Sequence, residues 1–128
     1  MQISKFLITP GQVDKEDIVS LLRSSDIYFS PSIVESFGIA TLEAMCAGLP
    51  CVVTDTAGSR DLVASDFGFL VKPKDVESSS NALKYLTENK NIRKEMGYKA
   101  SIESKKYDWS NIANLYLSVY YNAIQMFR

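Results

Sequence analysis

The chain has 128 residues, a length that suits one domain able to bury a hydrophobic core. Its 14 basic and 15 acidic residues give a net charge of −1, so charge offers no argument for nucleic-acid binding. With no histidine and only two cysteines, it has almost no ligands for a metal site, and we predict none. The absence of histidine also excludes a histidine-activated serine or cysteine nucleophile within this chain.

The sequence favours a cytoplasmic protein. No apolar run is long enough to span a bilayer, and the first five residues lack a signal-peptide pattern. Cys46 and Cys51 fall on different predicted elements and suit small buried hydrophobic side chains kept reduced. Charges of both signs between residues 84 and 106 recur at helical spacing, which favours a solvated helix over a membrane-surface patch.

The predicted elements alternate between strands and helices. Gln2–Thr9 is largely apolar and stops at Pro10, which predicts a strand ended by a turn. Asp14 is placed to cap a helix over Lys15–Ser24, on which Ile18, Leu21 and Leu22 share one face. The later elements are a strand Ile27–Ser30, a helix Ile39–Ala47, a strand Cys51–Thr54, a short helix near Arg60–Val63, a strand Gly68–Val71, a helix from Asp75 to about Thr87, a helix from about Ile92 to Lys106 and a last helix from about Asn111 to Met126.

This alternation predicts an α/β fold, a single Rossmann-like domain with a parallel sheet flanked by helices. The region 35–50 stands out within it, because Gly38 precedes a helix of good helix formers that Gly48 closes. Parallel α/β sheets bind phosphate at such helix mouths, where free N–H groups and the positive end of the macrodipole face the anion. Glu35 would lie before the mouth and Glu43 one turn inside, which suits a sugar nucleotide.

Three motifs follow one another in this region: Glu35-Ser36-Phe37-Gly38, Leu42-Glu43-Ala44-Met45 and Ala47-Gly48-Leu49-Pro50. Their order resembles the retaining glycosyltransferases of group 1, carbohydrate-active family 4, which adopt the two-domain GT-B fold. That family carries two glutamates separated by seven residues, followed by Ala-Met-x-x-Gly-x-Pro-Val-Val, and here a cysteine occupies position 51. Weaker likenesses extend the resemblance over roughly residues 6 to 126. They lie at Asp55–Val63, Gly68–Pro73 and Asp108–Ser110. In the first of these segments, Ala57 and Asp61 replace the family's glycine and glutamate.

The resemblance implies a role for each residue of the first two motifs. Glu43 would accept hydrogen bonds from the ribose hydroxyls of a donor nucleotide. Glu35 would be the catalytic carboxylate, facing the donor sugar and stabilising positive charge at its anomeric carbon. Phe37 would form a wall of the pocket. The backbone N–H groups that would meet the sugar and the distal phosphate belong to Ser36, Phe37, Gly38 and Ile39.

The implied reaction moves a glycosyl unit from a nucleoside-diphosphate sugar to the hydroxyl of a carbohydrate or lipid-linked acceptor, with retention and without a cofactor. Residues 1–128 would form part of the C-terminal domain, lacking the upstream arginine and lysine that hold the pyrophosphate in relatives. The N-terminal domain would be supplied in cis or in trans. We therefore expect no transfer by the isolated chain. A lipid-linked acceptor would allow peripheral association of the enzyme with the inner face of the membrane.

Two other functions remain open at this stage. The chain could be a non-catalytic nucleotide-sugar-binding or scaffold subunit, or part of another GT-B enzyme such as an epimerase or a phosphorylase. A phosphorylase needs a lysine that holds pyridoxal phosphate, and no lysine here has a convincing pocket context. The last helix is apolar over more than one face, which predicts that it packs against a second domain.

Overall fold

The computed structural model describes residues 3–127 and shows an α/β arrangement within them. Its sheet has the order β1 (Tyr28–Ser30), β2 (Cys51–Thr54) and β3 (Gly68–Val71), and both pairings are parallel. The helices flanking it are α1 (Lys15–Ser24), α2 (Ile39–Cys46), α3 (Ala57–Leu62), α4 (Val76–Glu88), α5 (Lys90–Ser104) and α6 (Trp109–Met126). The predicted fold class is confirmed. No helix in this range combines the length and hydropathy needed to cross a bilayer.

The central strand, β2, is buried over its whole length and separates two cores. Successive side chains of a strand point to opposite faces. Val53 accordingly joins the core beneath α2 and α3, and Val52 joins the core beneath α4. The sheet is therefore covered on both faces, as parallel sheets require.

Two glycines bring α5 against the end of α2. Gly48, with φ +80°, ends α2 in the left-handed conformation that glycine adopts without strain. A Cβ on Gly97 of α5 would lie 2.1 Å from the Gly48 carbonyl oxygen, so only a glycine fits there. This contact fixes one end of α2 and leaves its other end at the carboxyl edge of the sheet.

The predicted strand Gln2–Thr9 is wrong for the residues that the structure describes; Gln2 lies outside them. Ile3–Phe6 forms a 3-10 helix. Leu7 and Ile8 are exposed, and they belong to none of the described strands. Apolar composition favours a strand only where a neighbouring strand is available to pair with, and no described strand pairs with this segment.

The other predicted elements are confirmed, with small differences at their ends. The short helix begins earlier, at Ala57, and the last helix begins at Trp109. Residues Lys105–Tyr107 continue from α5 as a 3-10 helix. Asp75 caps α4, whereas Asp14 stands at the N-cap position of α1 without accepting a bond from the helix.

Candidate functional site

The carboxyl edge of the sheet is where open parallel α/β folds bind ligands. The segment 31–38 leaves β1 at this edge and leads to α2. The Thr54 hydroxyl, buried at the end of β2, donates to the Ser32 carbonyl oxygen and lies 3.4 Å from the Ser30 carbonyl oxygen. This side chain ties the start of the segment to the central strand.

Gly38 forms the mouth of α2, as predicted. It is the N-cap residue and has φ +94°, a conformation in which other residues are strained. No side chain caps α2 within the described chain, so the N–H groups of its first turn remain free to bind an anion.

Glu35 lies in the loop before the mouth and is half-buried. Its Cγ is 3.5 Å from the point that a Cβ on Gly38 would occupy, so its side chain reaches the start of α2. Its carbonyl oxygen accepts a hydrogen bond from the Gly58 N–H at 3.1 Å. The Glu35 side chain is thus close to the helix mouth, and a hydrogen bond from α3 holds the Glu35 backbone.

Glu43 lies one turn inside α2 and is exposed. It lines a groove of about 490 Å³ between α1 and α2. The walls are mainly apolar, and charged side chains stand among them. The lining residues are Lys15, Glu16, Ile18, Val19, Leu22 and Arg23 from α1, and Ile39, Leu42, Glu43, Cys46 and Ala47 from α2 and its end.

The structure divides the predicted site residues into two groups. Glu43 and Ile39 line the groove. The remaining four, Glu35, Ser36, Phe37 and Gly38, lie at the N-terminal end of α2 and do not line it. Phe37 is 39% exposed and places its ring against Tyr107, with centroids 5.8 Å apart and the planes at 71°.

Sequence reasoning missed the part of α1 that faces Glu43. Ile18 and Leu22 were predicted to share one face of α1 with Leu21, and they line the groove. No residue of α1, which is described throughout, is buried. The i, i+4 spacing of Ile18 and Leu22 was the available signal for the groove wall. This spacing places both residues on one face of the helix, but it is the same for a face that lines a groove and a face that packs in the core. Cys46 is another correction, since it is exposed in the groove, whereas Cys51 is buried as expected.

One pair of oppositely charged groups lies near the carboxyl edge. Arg60 of α3 binds Asp55, which follows β2, and its guanidinium Nη2 lies 3.2 Å from the carboxylate. Hydrogen bonding by Arg60 holds the pKa of Asp55 below its ordinary value. No group of three or more acidic, cysteine or histidine residues in the range 3–127 could hold a metal ion.

The comparisons with known proteins agree with the motif at α2. The family described as Glycosyl transferases group 1 matches residues 2–102. This chain belongs to that family. Over 91 residues it is 38% identical to the UDP-Gal:alpha-D-GlcNAc-diphosphoundecaprenol alpha-1,3-galactosyltransferase of Escherichia coli, covering 70% of this chain and 23% of that protein. It is also 38% identical over 112 residues to the phosphatidyl-myo-inositol mannosyltransferase of Mycobacterium leprae, covering 86% and 30% respectively.

Solved structures show the same fold at lower identity. The sucrose-phosphate synthase of Thermosynechococcus elongatus has a TM-score of 0.84 at 21% identity and covers 97% of this chain. TarM has a TM-score of 0.75 at 21% identity and covers 90% of it. Both are GT-B enzymes, so this chain has the fold of a part of a GT-B enzyme, as expected. The chain spans 33% and 23% of these structures, and between a fifth and a third of the curated relatives.

Proposed function

We propose that this chain is the donor-nucleotide part of a retaining glycosyltransferase. The enzyme would transfer a glycosyl unit from a nucleoside-diphosphate sugar to an acceptor hydroxyl, without a metal or a cofactor. The observation that carries this proposal is that one helix, α2, combines an uncapped N-terminus with a groove along its flank. A nucleoside diphosphate needs both an apolar slot and an anion site within a few ångströms of each other.

The groove supplies the nucleoside site in this proposal. Its apolar side chains Ile18, Leu22 and Leu42 offer surfaces against which a planar base can lie. Glu43 projects into the same groove, and a carboxylate can accept two hydrogen bonds from the vicinal hydroxyls of a ribose. Because Glu43 is in the second turn of α2, the helix sets its position relative to the mouth.

The mouth of α2 supplies the phosphate and sugar site. The N–H groups at Ser36, Phe37, Gly38 and Ile39 would meet the distal phosphate and the sugar, aided by the positive end of α2. Glu35 stands beside Gly38, where its carboxylate would stabilise the positive charge that develops on the sugar ring. The division seen between Glu35 and Glu43 thus separates a catalytic role from a binding role.

The names of the relatives support the substrate classes. The Escherichia coli relative is named for a UDP-Gal donor and a diphosphoundecaprenol-linked acceptor, and the Mycobacterium leprae relative for phosphatidyl-myo-inositol. We extend to this chain only the classes, a nucleotide-sugar donor and a carbohydrate or lipid-linked acceptor. Such an acceptor is consistent with an enzyme at the cytoplasmic face of the membrane.

The proposal includes a second domain, supplied in cis or in trans, that closes the cleft over the carboxyl edge. Residues 1–128 would then be a partial C-terminal domain, inactive in transfer when isolated. The apolar helix α6 supports this view, because none of its described residues is buried. Helices with apolar side chains on several faces are stable when other elements cover them.

Calorimetric titration of the chain with UDP, GDP and ADP tests the proposal. We expect one of these nucleotides to bind with 1:1 stoichiometry, and Glu43→Gln to weaken that binding by ~1–3 kcal/mol, the range for a hydrogen bond to a charged group. Glu16→Gln is the matched control, since Glu16 lines the same groove from α1 and loses the same charge. Equal losses in the two variants, or no binding by the wild-type chain, would contradict the proposal.

A further inference from the structure

We propose that Gly58 and Tyr107 are positioning residues for the loop Glu35–Gly38. Gly58 would hold the backbone of the loop, and Tyr107 would hold its one aromatic side chain, so that the N–H groups at the mouth of α2 face the distal phosphate. This inference rests on the proposed function, because it assigns that loop to the phosphate and sugar.

Gly58 touches the loop directly. It is buried in the first turn of α3, and a Cβ on it would lie 2.6 Å from the Phe37 nitrogen and 2.7 Å from the Ser36 carbonyl carbon. Its φ is outside the left-handed range, so glycine is needed here for space. The Gly58 N–H also donates to the Glu35 carbonyl oxygen at 3.1 Å, which adds a directional bond to the close contact.

The helix behind Gly58 is itself firmly held. The Thr56 hydroxyl caps α3, accepting from the Ser59 N–H at 3.3 Å, and the two hydroxyl oxygens are 2.8 Å apart. Both side chains are buried. Leu62, at the other end of α3, is buried in the core, and its Cδ1 is 3.1 Å from the point where a Cβ on Gly38 would lie. Displacement of the loop towards α3 therefore meets packed atoms.

Tyr107 connects the loop to the same helix through a side chain. Its ring packs edge-on against Phe37, and its hydroxyl donates to the Asp61 carbonyl oxygen of α3 at 3.0 Å. Edge-to-face aromatic pairs contribute beyond their buried area, and they have a preferred geometry. Phe37 is thus held between two neighbours that are distant in sequence. Gly58 is 21 residues away along the chain, and Tyr107 is 70 residues away.

Phosphate binding requires the loop Glu35–Gly38 to be placed accurately. An N–H group binds a phosphate oxygen well only over a few tenths of an ångström and a limited range of angles. A displacement of about 1 Å at a binding or catalytic site has large effects on function. The supports would therefore affect phosphate binding more than nucleoside binding, because the groove is built by α1 and the flank of α2.

The first test compares Gly58→Ala with Gly97→Ala. Both changes place a methyl group against backbone, at 2.6 Å from the Phe37 nitrogen and 2.1 Å from the Gly48 oxygen, so both are expected to lower stability. In amide NMR spectra and hydrogen exchange, only Gly58→Ala should shift the resonances of residues 35–38 and speed their exchange. Unchanged amides at 35–38 in a folded Gly58→Ala variant would overturn the inference.

The second test measures affinity for nucleoside monophosphates and diphosphates with the same base. The wild-type chain should bind the diphosphate at least tenfold more tightly. Gly58→Ala should abolish that difference and leave the monophosphate affinity within about twofold, whereas Gly97→Ala should keep it. A Gly58→Ala variant that retains the full diphosphate preference contradicts the positioning role. Failure of the wild-type chain to bind either nucleotide counts against the proposed function, and the amide measurement still decides whether Gly58 holds the loop.

Tyr107→Leu serves as the second variant if Gly58→Ala does not fold. Tyr85→Leu is its matched control, since Tyr85 makes a similar edge-on contact with Phe69 at 5.9 Å, away from the loop. We expect Tyr107→Leu to shift the Phe37 amide and to reduce the diphosphate preference at least threefold, and Tyr85→Leu to do neither. Equal behaviour of the two tyrosine variants would refute the inference.

Discussion

Glu35 and Glu43 have different surroundings although they belong to one sequence motif. Glu35 is half-buried beside Gly38 at the mouth of α2, and Glu43 is exposed in the groove on the flank of the same helix. The seven-residue separation indicated that the first would precede the helix and the second would lie inside it. The separation did not indicate the groove, because its other wall is formed by α1, which ends 15 residues before α2 begins.

Glu35→Gln should lower the catalytic rate more than it lowers nucleotide affinity, in an enzyme that contains this chain and the proposed second domain. The amide keeps the shape of the carboxylate but removes the charge that would stabilise an oxocarbenium-like transition state. We expect a rate loss of about 10²-fold or more, the range for removing one group that stabilises a transition-state charge. A turnover assay and a titration of the same variant measure the two effects. A variant with weaker binding and an unchanged rate would contradict the assignment.

At the scale of elements, local signals predicted most helices and all three strands of the described sheet. Asp75 at the start of α4, Gly48 at the end of α2 and the apolar run of β2 each act within a few residues. The strand predicted for Gln2–Thr9 failed because a strand also needs a neighbour, and apolar composition alone does not supply one. For the same reason the supports of the loop, Gly58 and Tyr107, could not be found from spacing along the chain.

The caps of α1 and α4 provide a stability prediction. The Asp75 carboxylate accepts from the Ser78 N–H at 2.9 Å and from its hydroxyl at 2.7 Å, and these bonds lower the pKa of Asp75 from its ordinary value. Asp75→Ala should therefore lower the midpoint of urea unfolding at pH 7, because the cap and its charge are lost. Asp14→Ala should have little effect, since Asp14 makes no side-chain bond to α1.

The pH dependence of this difference follows from the direction of the shift. A carboxyl whose pKa is lower in the folded state stabilises the fold above its unfolded pKa and loses that contribution as pH falls through its folded pKa. The gap in midpoint between wild type and Asp75→Ala should thus be full at pH 6–7 and shrink below about pH 4. A gap that does not change between pH 7 and pH 3 would contradict the capping account.

In the molecule as a whole, α6 is a helix whose side chains the other elements do not bury. Apart from the half-buried Ile112, its tyrosine, leucine, valine and isoleucine side chains are about half exposed or more. No residue of the helix, whose full length is described, is buried. This agrees with the sequence prediction of a helix that is apolar over more than one face. Large exposed apolar patches mark interaction sites or promote association.

The isolated chain should accordingly self-associate or show a frayed end beyond about Asn122. Sedimentation velocity measures the first and hydrogen exchange the second. Tyr116 and Tyr120 pack against each other on α6, and the double variant Tyr116→Lys, Tyr120→Lys should favour the monomer. The control variant Tyr98→Lys, on α5, should not. A strictly monomeric wild-type chain with uniform amide protection to Met126 would reject this account.

We propose that α2 binds a nucleoside diphosphate along its flank and at its mouth. Titration of an isotopically labelled chain with UDP, GDP and ADP, followed by amide NMR, maps the binding surface directly. For the nucleotide that binds, we expect the largest amide shifts at Gly38, Ile39 and Glu43, and smaller shifts at Ile18 and Leu22 across the groove. Shifts confined to other elements, or no shifts with any of the three nucleotides, would contradict it.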